Sequence, residues 1–169
     1  LAYWMGEAGD VDGARDLLAQ VLAIEERVLG PEHPSTLVTR HNLARWMGEA
    51  GDVDGARDLL AQVLAVRERV LGPEHPSTLA TRHNLARWMG EAGDVDGARD
   101  LLAQVLAIEE RVLGPEHPST LVTRHNLAYW MGEAGDVDGA RDLLAQVLAV
   151  RERVLGPEHP STLVTRHNL

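Results

Sequence analysis

Between Gly30 and Leu71 the apolar residues fall at intervals of three and four in two successive runs, with a polar break between them. In the first run Leu37, Leu43, Ala44 and Met47, with Arg40 among them, mark one face of a helix predicted over Pro34 to Glu49. Gly30-Pro31 stops whatever helix precedes it, because Gly takes the left-handed backbone past a helix end and Pro cannot continue a helix. Glu32-His33 fills the loop, and Pro34 suits a first helical turn, where its missing N–H costs nothing. Gly51 closes this helix, called A. Asp52 is a good N-cap for a second, B, predicted from Val53 to Leu71, and Asp54 adds negative charge to its first turn. Ala56, Leu59, Leu60, Val63, Leu64, Val70 and Leu71 give B a wide apolar face, with Arg57, Asp58, Gln62, Glu68 and Arg69 on its polar side. So short a connection makes A and B antiparallel. Neither can bury its stripe alone, although each fully buried Leu or Val contributes about 1.5–3 kcal/mol.

The pattern recurs every 42 residues, in units 1–42, 43–84, 85–126 and 127–168, with Leu169 opening a fifth. Four columns vary. Tyr3 becomes Arg45, Arg87 and Tyr129; Ile24 becomes Val66, Ile108 and Val150; Glu25 becomes Arg67, Glu109 and Arg151; Val38 becomes Ala80, Val122 and Val164. A period of this length means stacked units, each leaning on its neighbours for a core. The predicted fold is all-α: an α-solenoid of antiparallel helix hairpins forming a right-handed superhelix, one array over residues 1–169 that begins and ends within helix A.

Composition narrows the partners. Hydrophobic residues make up 44% of the chain, but with four Trp, two Tyr and no Phe, the core falls to Leu, Val and Ala. The net charge is −10 and every basic residue is Arg, a balance that repels phosphate backbones and argues against nucleic acid. Absence of Cys removes disulfides, thiolate metal sites and Cys nucleophiles. No apolar run reaches the roughly 18 residues of a membrane span, and no signal-peptide pattern opens the chain, so no membrane is expected and the cytoplasm is the default.

Leu43-Ala44 and Met47 on helix A, Gly51-Asp52 at the turn, Ala56, Leu60 and Val63 on helix B, and the Gly72 to Pro76 connector together resemble a tetratricopeptide repeat. The likeness is to the longer, 42-residue form found in kinesin light chains and many bacterial regulators, and it covers the whole chain. Armadillo and HEAT arrays share this period range but fit the Gly-Asp turn and the Ala-xxx-Leu spacing less well. Three features depart from the family pattern. Arg40 stands where a large apolar residue is usual, Ala44 and Met47 replace the usual Gly and Tyr, and helix B runs on past the end of the 34-residue form. The Arg40, Arg82, Arg124 and Arg166 column must find carboxylates or reach solvent, with Asp10, Asp16 and their repeat mates as candidates.

Every side chain recurs in nearly the same surroundings, which disfavours a catalytic site built from several distinct environments. Ser35, His33 and Asp10 occur in each unit without an elbow or oxyanion turn. No cofactor or metal site is expected: His33 and His41 lie eight apart, unlike the usual spacing of a zinc pair, and the plainer account makes His33 a loop residue and His41 a surface one. The outer stripe of helix A, Val38, His41, Asn42, Arg45 and Glu49, is the better candidate. The resemblance implies that it lines a concave peptide-binding groove, together with Ala80, His83, Asn84, Arg87 and Glu91, and with Val122, His125, Asn126, Tyr129 and Glu133. Two variable columns fall on it, as groove diversification would produce, although drift at exposed sites after duplication explains them equally simply.

The alternating charges of the Glu25 column are expected either to set opposite charges near each other on adjacent B helices or to form a solvated face. Trp4, Trp46, Trp88 and Trp130 are expected as wedges between repeats. The half helices Leu1 to Ala8 and Pro160 to Leu169 are complementary, and head-to-tail self-association through them is expected. The predicted function is a non-catalytic scaffold for a protein or peptide. A structural or self-associating spacer, the sensor segment of a larger bacterial signalling protein, and a designed consensus array stay open.

Overall fold

The computed structural model describes residues 2–169; Leu1, where the first unit opens, lies outside the described residues. Among the described residues helix is the only regular structure, and the chain divides into two compact units, Leu1–Gly93 and Asp94–Leu169. The first unit holds α1 (Ala2–Glu7), α2 (Val11–Val28), α3 (Pro34–Glu49), α4 (Val53–Leu71) and α5 (Pro76–Glu91). The second holds α6 (Val95–Val112), α7 (Pro118–Glu133), α8 (Val137–Leu155) and α9 (Pro160–Asn168). In each unit a helix packs against the next in sequence, and α3 also touches α5. Helices α1, α3, α5, α7 and α9 are of type A; α2, α4, α6 and α8 are of type B.

Local chemistry fixes the boundaries. Asp52 accepts from the Gly55 N–H at 3.0 Å, and Asp10, Asp94 and Asp136 cap the other B helices in the same way. Each A helix from α3 onwards is capped by a histidine: His33 Nδ1 accepts from the Ser35 N–H at 3.2 Å, with Pro34 opening the first turn. The turn glycines Gly51 and Gly72 take φ values of 97° and 92°, a backbone region that favours glycine.

The core of the first unit joins Leu37, Leu43, Ala44, Leu79, Leu85 and Ala86 of the A helices to Ala56, Leu60 and Val63 of α4. The second unit repeats it with Leu121, Leu127 and Ala128 against Ala98, Leu102, Val105, Leu144 and Val147. Buried threonines complete both, Thr36, Thr39, Thr78 and Thr81 in one and Thr120, Thr123, Thr162 and Thr165 in the other. The apolar face expected of helix B is too long: Val70 and Leu71 are exposed, because the last turn of α4 runs beyond the A helix beside it.

Trp46 and Trp88 are wedges between neighbouring A helices. Both are buried, and each fits over a glycine of the preceding A helix. A Cβ on Gly6 would lie 2.2 Å from the Trp46 ring, and one on Gly48 would lie 2.4 Å from the Trp88 ring. Trp4, on α1, is instead 72% exposed, since no A helix precedes it among the described residues.

Arg40 finds its carboxylate on the preceding B helix rather than at Asp10 or Asp16. Arg40 Nη2 lies 2.5 Å from Glu26 Oε1, Arg82 pairs with Glu68 at 2.7 Å, Arg124 pairs with Glu110 at 2.6 Å, and Arg166 pairs with Glu152. The expected partners are engaged elsewhere, Asp10 as a helix cap and Asp16 with its neighbour Arg15.

Candidate functional site

The exposed stripe of α3 consists of Val38, Asn42 and Glu49, with His41 and Arg45 half-buried beside them. On α5 Ala80, Arg87 and Glu91 are exposed while His83 and Asn84 are half-buried. In the second unit Val122, Tyr129 and Glu133 are exposed on α7, and His125 and Asn126 are half-buried.

Cross-helix bonds tie these residues together. Arg45 reaches Glu7 of α1 at 2.7 Å, and Arg87 reaches Glu49 of α3 at 2.9 Å. The Arg45 guanidinium also stands 4.5 Å from the Trp46 ring centroid and 5.7 Å from that of Tyr3, while Arg87 stands 4.3 Å from that of Trp88. The Tyr3/Arg45 column therefore serves packing between A helices as well as the outer stripe.

His41 is not the surface residue expected from its place on the helix. Asn84 Nδ2 lies 2.8 Å from His41 Nε2, and His41 Nδ1 is buried without a hydrogen-bond partner. Burial first, and the nearby Arg67 charge second, lower its pKa to about 4. His125 follows the same pattern, 3.1 Å from Asn168 and with its pKa lowered by burial and by Arg151.

The larger correction concerns the alternating column of helix B. Arg67, Glu109 and Arg151 do not form a solvated face, nor do they face adjacent B helices. They are buried against the following A helix. Arg67 Nη1 donates to the Ser77 carbonyl at 3.0 Å and to Thr81 Oγ1 at 2.7 Å, and its Nη2 approaches the Leu37 carbonyl at 3.5 Å. Arg151 Nη1 donates to the Ser161 carbonyl at 3.1 Å and to Thr165. Glu109 instead accepts from the Thr123 hydroxyl, and Glu25 Oε2 is buried without a partner. One register position thus places a guanidinium or a carboxylate beside the A stripe, and the sign alternation was its only trace in the sequence. In the second unit Arg151 is part of the wall of an open recess of about 290 Å³, with Val122, His125, Asn126, Pro160, Ser161 and Val164.

Among the described residues no three His, Asp or Glu side chains are grouped so as to hold a metal ion, and no helix is long and apolar enough to cross a membrane.

Two family models described as Tetratricopeptide repeat match the chain, one over residues 1–69 and 48–109 and the other over residues 120–161. Comparison with curated proteins gives no match. A solved structure of a Podosopora anserina protein with nearly identical TPR-like repeats is 43% identical, covers 99% of this chain and 80% of its own, and superposes with a TM-score of 0.88. A point variant of that protein is also 43% identical, covers 99% and 79%, and reaches 0.90. BtubC (BKLC) from P. vanneervenii, 21% identical over 94% of this chain and 63% of its own, shares the fold at 0.81.

Proposed function

The chain belongs to the tetratricopeptide repeat family, and on that premise we propose that it is a non-catalytic scaffold whose A helices bind a peptide segment of a protein partner. The bound segment lies along Val38, His41, Asn42, Arg45 and Glu49 on α3, along Ala80, His83, Asn84, Arg87 and Glu91 on α5, and along Val122, His125, Asn126, Tyr129 and Glu133 on α7.

One observation carries this reading. The A stripe sets solvent-facing apolar side chains, Val38 at 51% and Val122 at 47% exposure, beside half-buried polar ones, His41, Asn84, His125 and Asn126. A peptide backbone needs hydrogen-bonding groups and its side chains need apolar contact, and this stripe offers both. The other recurring apolar surface, Val28, Val70, Val112 and Val154 at the ends of the B helices, is aliphatic without such groups around it.

The test is selection of peptides from a displayed random library against the full chain, followed by affinity measurements on variants. Val38→Glu with Val122→Glu should weaken the selected peptides at least tenfold, while Val70→Glu with Val154→Glu should leave them unchanged. The reverse pattern refutes the reading. Failure to enrich any peptide favours a spacer array instead.

A further inference from the structure

We propose that Arg67 and Arg151 each form the floor of a carboxylate-binding recess that receives an acidic side chain of the bound peptide. The inference rests on the scaffold reading above and adds the chemistry of its partner.

A buried guanidinium is ordinarily neutralised by a carboxylate, because an unpaired buried charge costs several kcal/mol. The Arg40 column obeys that rule through the Glu26 column. Arg67 and Arg151 do not. They are 5% and 8% exposed, and every oxygen they reach is neutral: Ser77, Thr81 and Leu37 for the first, Ser161 and Thr165 for the second. Burial pulls both guanidinium pKa values down, with no neighbouring carboxylate holding them up. In Arg151 only Nη1 is engaged, which leaves Nη2 and Nε as donors.

The recess around Arg151 suits one acidic side chain. Val122, Val164 and Pro160 give it apolar walls against which the methylenes of a glutamate can lie, while Arg151, His125, Asn126 and Ser161 gather at its polar side. Its volume of about 290 Å³ holds a side chain rather than a larger ligand. A carboxylate there would form a charge-assisted bond with the guanidinium in partly desolvated surroundings, where such bonds are strong. The first unit repeats the arrangement with Val38, His41, Asn42, Ser77 and Arg67, and Ala80 stands where the second unit has Val164. The chain's charge of −10 opposes a polyanion, so a peptide with isolated acidic residues is the fitting occupant. At the equivalent position of the other repeats, Glu25 and Glu109 would repel that same group.

The experiment titrates the full chain with an acetylated, amidated alanine pentapeptide carrying one central glutamate, and with its glutamine counterpart, at constant ionic strength. Arginine Nε–H resonances are followed by NMR. The glutamate peptide should shift Arg67 and Arg151 saturably and bind at least tenfold more tightly than the glutamine peptide. Arg67→Met with Arg151→Met, which replaces the charge with similar apolar volume, should bring the two peptides within twofold of each other. Absence of shifts at Arg67 and Arg151, or equal binding of both peptides to the unaltered chain, overturns the proposal. Library-selected peptides that depend on Val38 and Val122 but not on these arginines would remove this inference and leave the scaffold reading standing.

Discussion

Acidification should destabilise the first unit through His41, and the size of the effect follows from its surroundings. The imidazole bonds to Asn84 through Nε2, buries Nδ1 without a partner, and stands near Arg67, so its pKa lies at about 4 instead of the ordinary 6.5. The folded form therefore binds fewer protons than the unfolded chain between about pH 6.5 and 4. Stability is fully present above that window and is lost as pH falls through it. At about 1.4 kcal/mol per pH unit the whole window corresponds to roughly 3 kcal/mol, of which about 2.5 is gone by pH 4.5. Urea unfolding followed by circular dichroism at pH 7.5 and 4.5 gives the loss for the unaltered chain and for His41→Gln, whose amide can still bond to Asn84. Carboxylates and His125 titrate in both proteins and cancel in the difference. The unaltered chain should lose about 2.5 kcal/mol more than the variant. Equal losses, or a larger loss in His41→Gln, would show that His41 is not held neutral by its site.

Gly48→Ala and Gly132→Ala are the same substitution at equivalent positions, yet they should act in opposite directions. A Cβ on Gly48 would stand 2.4 Å from the Trp88 ring and should cost about 1–3 kcal/mol, whereas one on Gly132 meets only Ala140 at 3.9 Å and should gain up to about 1 kcal/mol of helix stability. Thermal melting decides between them, and a common sign contradicts the wedge geometry. Glu68→Gln should cost about 1–3 kcal/mol, since it removes the charge facing buried Arg82, whose Nε and Nη2 lie 3.1 and 2.7 Å from Glu68 Oε1. A double-mutant cycle with Arg82→Met isolates the pair, and a coupling below about 0.5 kcal/mol would refute it.

The helix boundaries were legible because their causes are local. Asp52, Gly51, Pro34 and Gly72 act within a few residues of themselves, and α3 and α4 begin and end where those residues require. What escaped depends on packing between helices. Thr36 and Thr39 read as polar positions, but threonine has the shape of valine and can turn its hydroxyl to its own helix, as Thr81 does to the Ser77 carbonyl at 2.8 Å, so it enters the core. Glu26 as the partner of Arg40 depends on where the end of one helix meets the middle of the next, which apolar spacing within a single helix does not encode. Arg67 escaped for a related reason, since a charge within a helix reads as solvent-facing until a neighbouring helix is seen to cover it.

That covering bears on how the repeats came to differ. Drift after duplication is cheap at exposed positions, and Val38→Ala or Tyr3→Arg would pass under it. A reversal from Glu to Arg at a buried site is not cheap, because the same neutral oxygens cannot satisfy both charges: the Thr123 hydroxyl donates to Glu109, whereas the Thr81 hydroxyl accepts from Arg67. Each reversal needed its surroundings to adapt, and both units nevertheless carry it. Val122 and Val164, from the Val38 column, meet Arg151 at the same recess, so two of the four variable columns converge on one small volume. Four near-identical repeats can distinguish ligands only where they differ from one another. A partner read by this chain would therefore be read chiefly by charge at the floor of the recess and by side-chain size at its mouth.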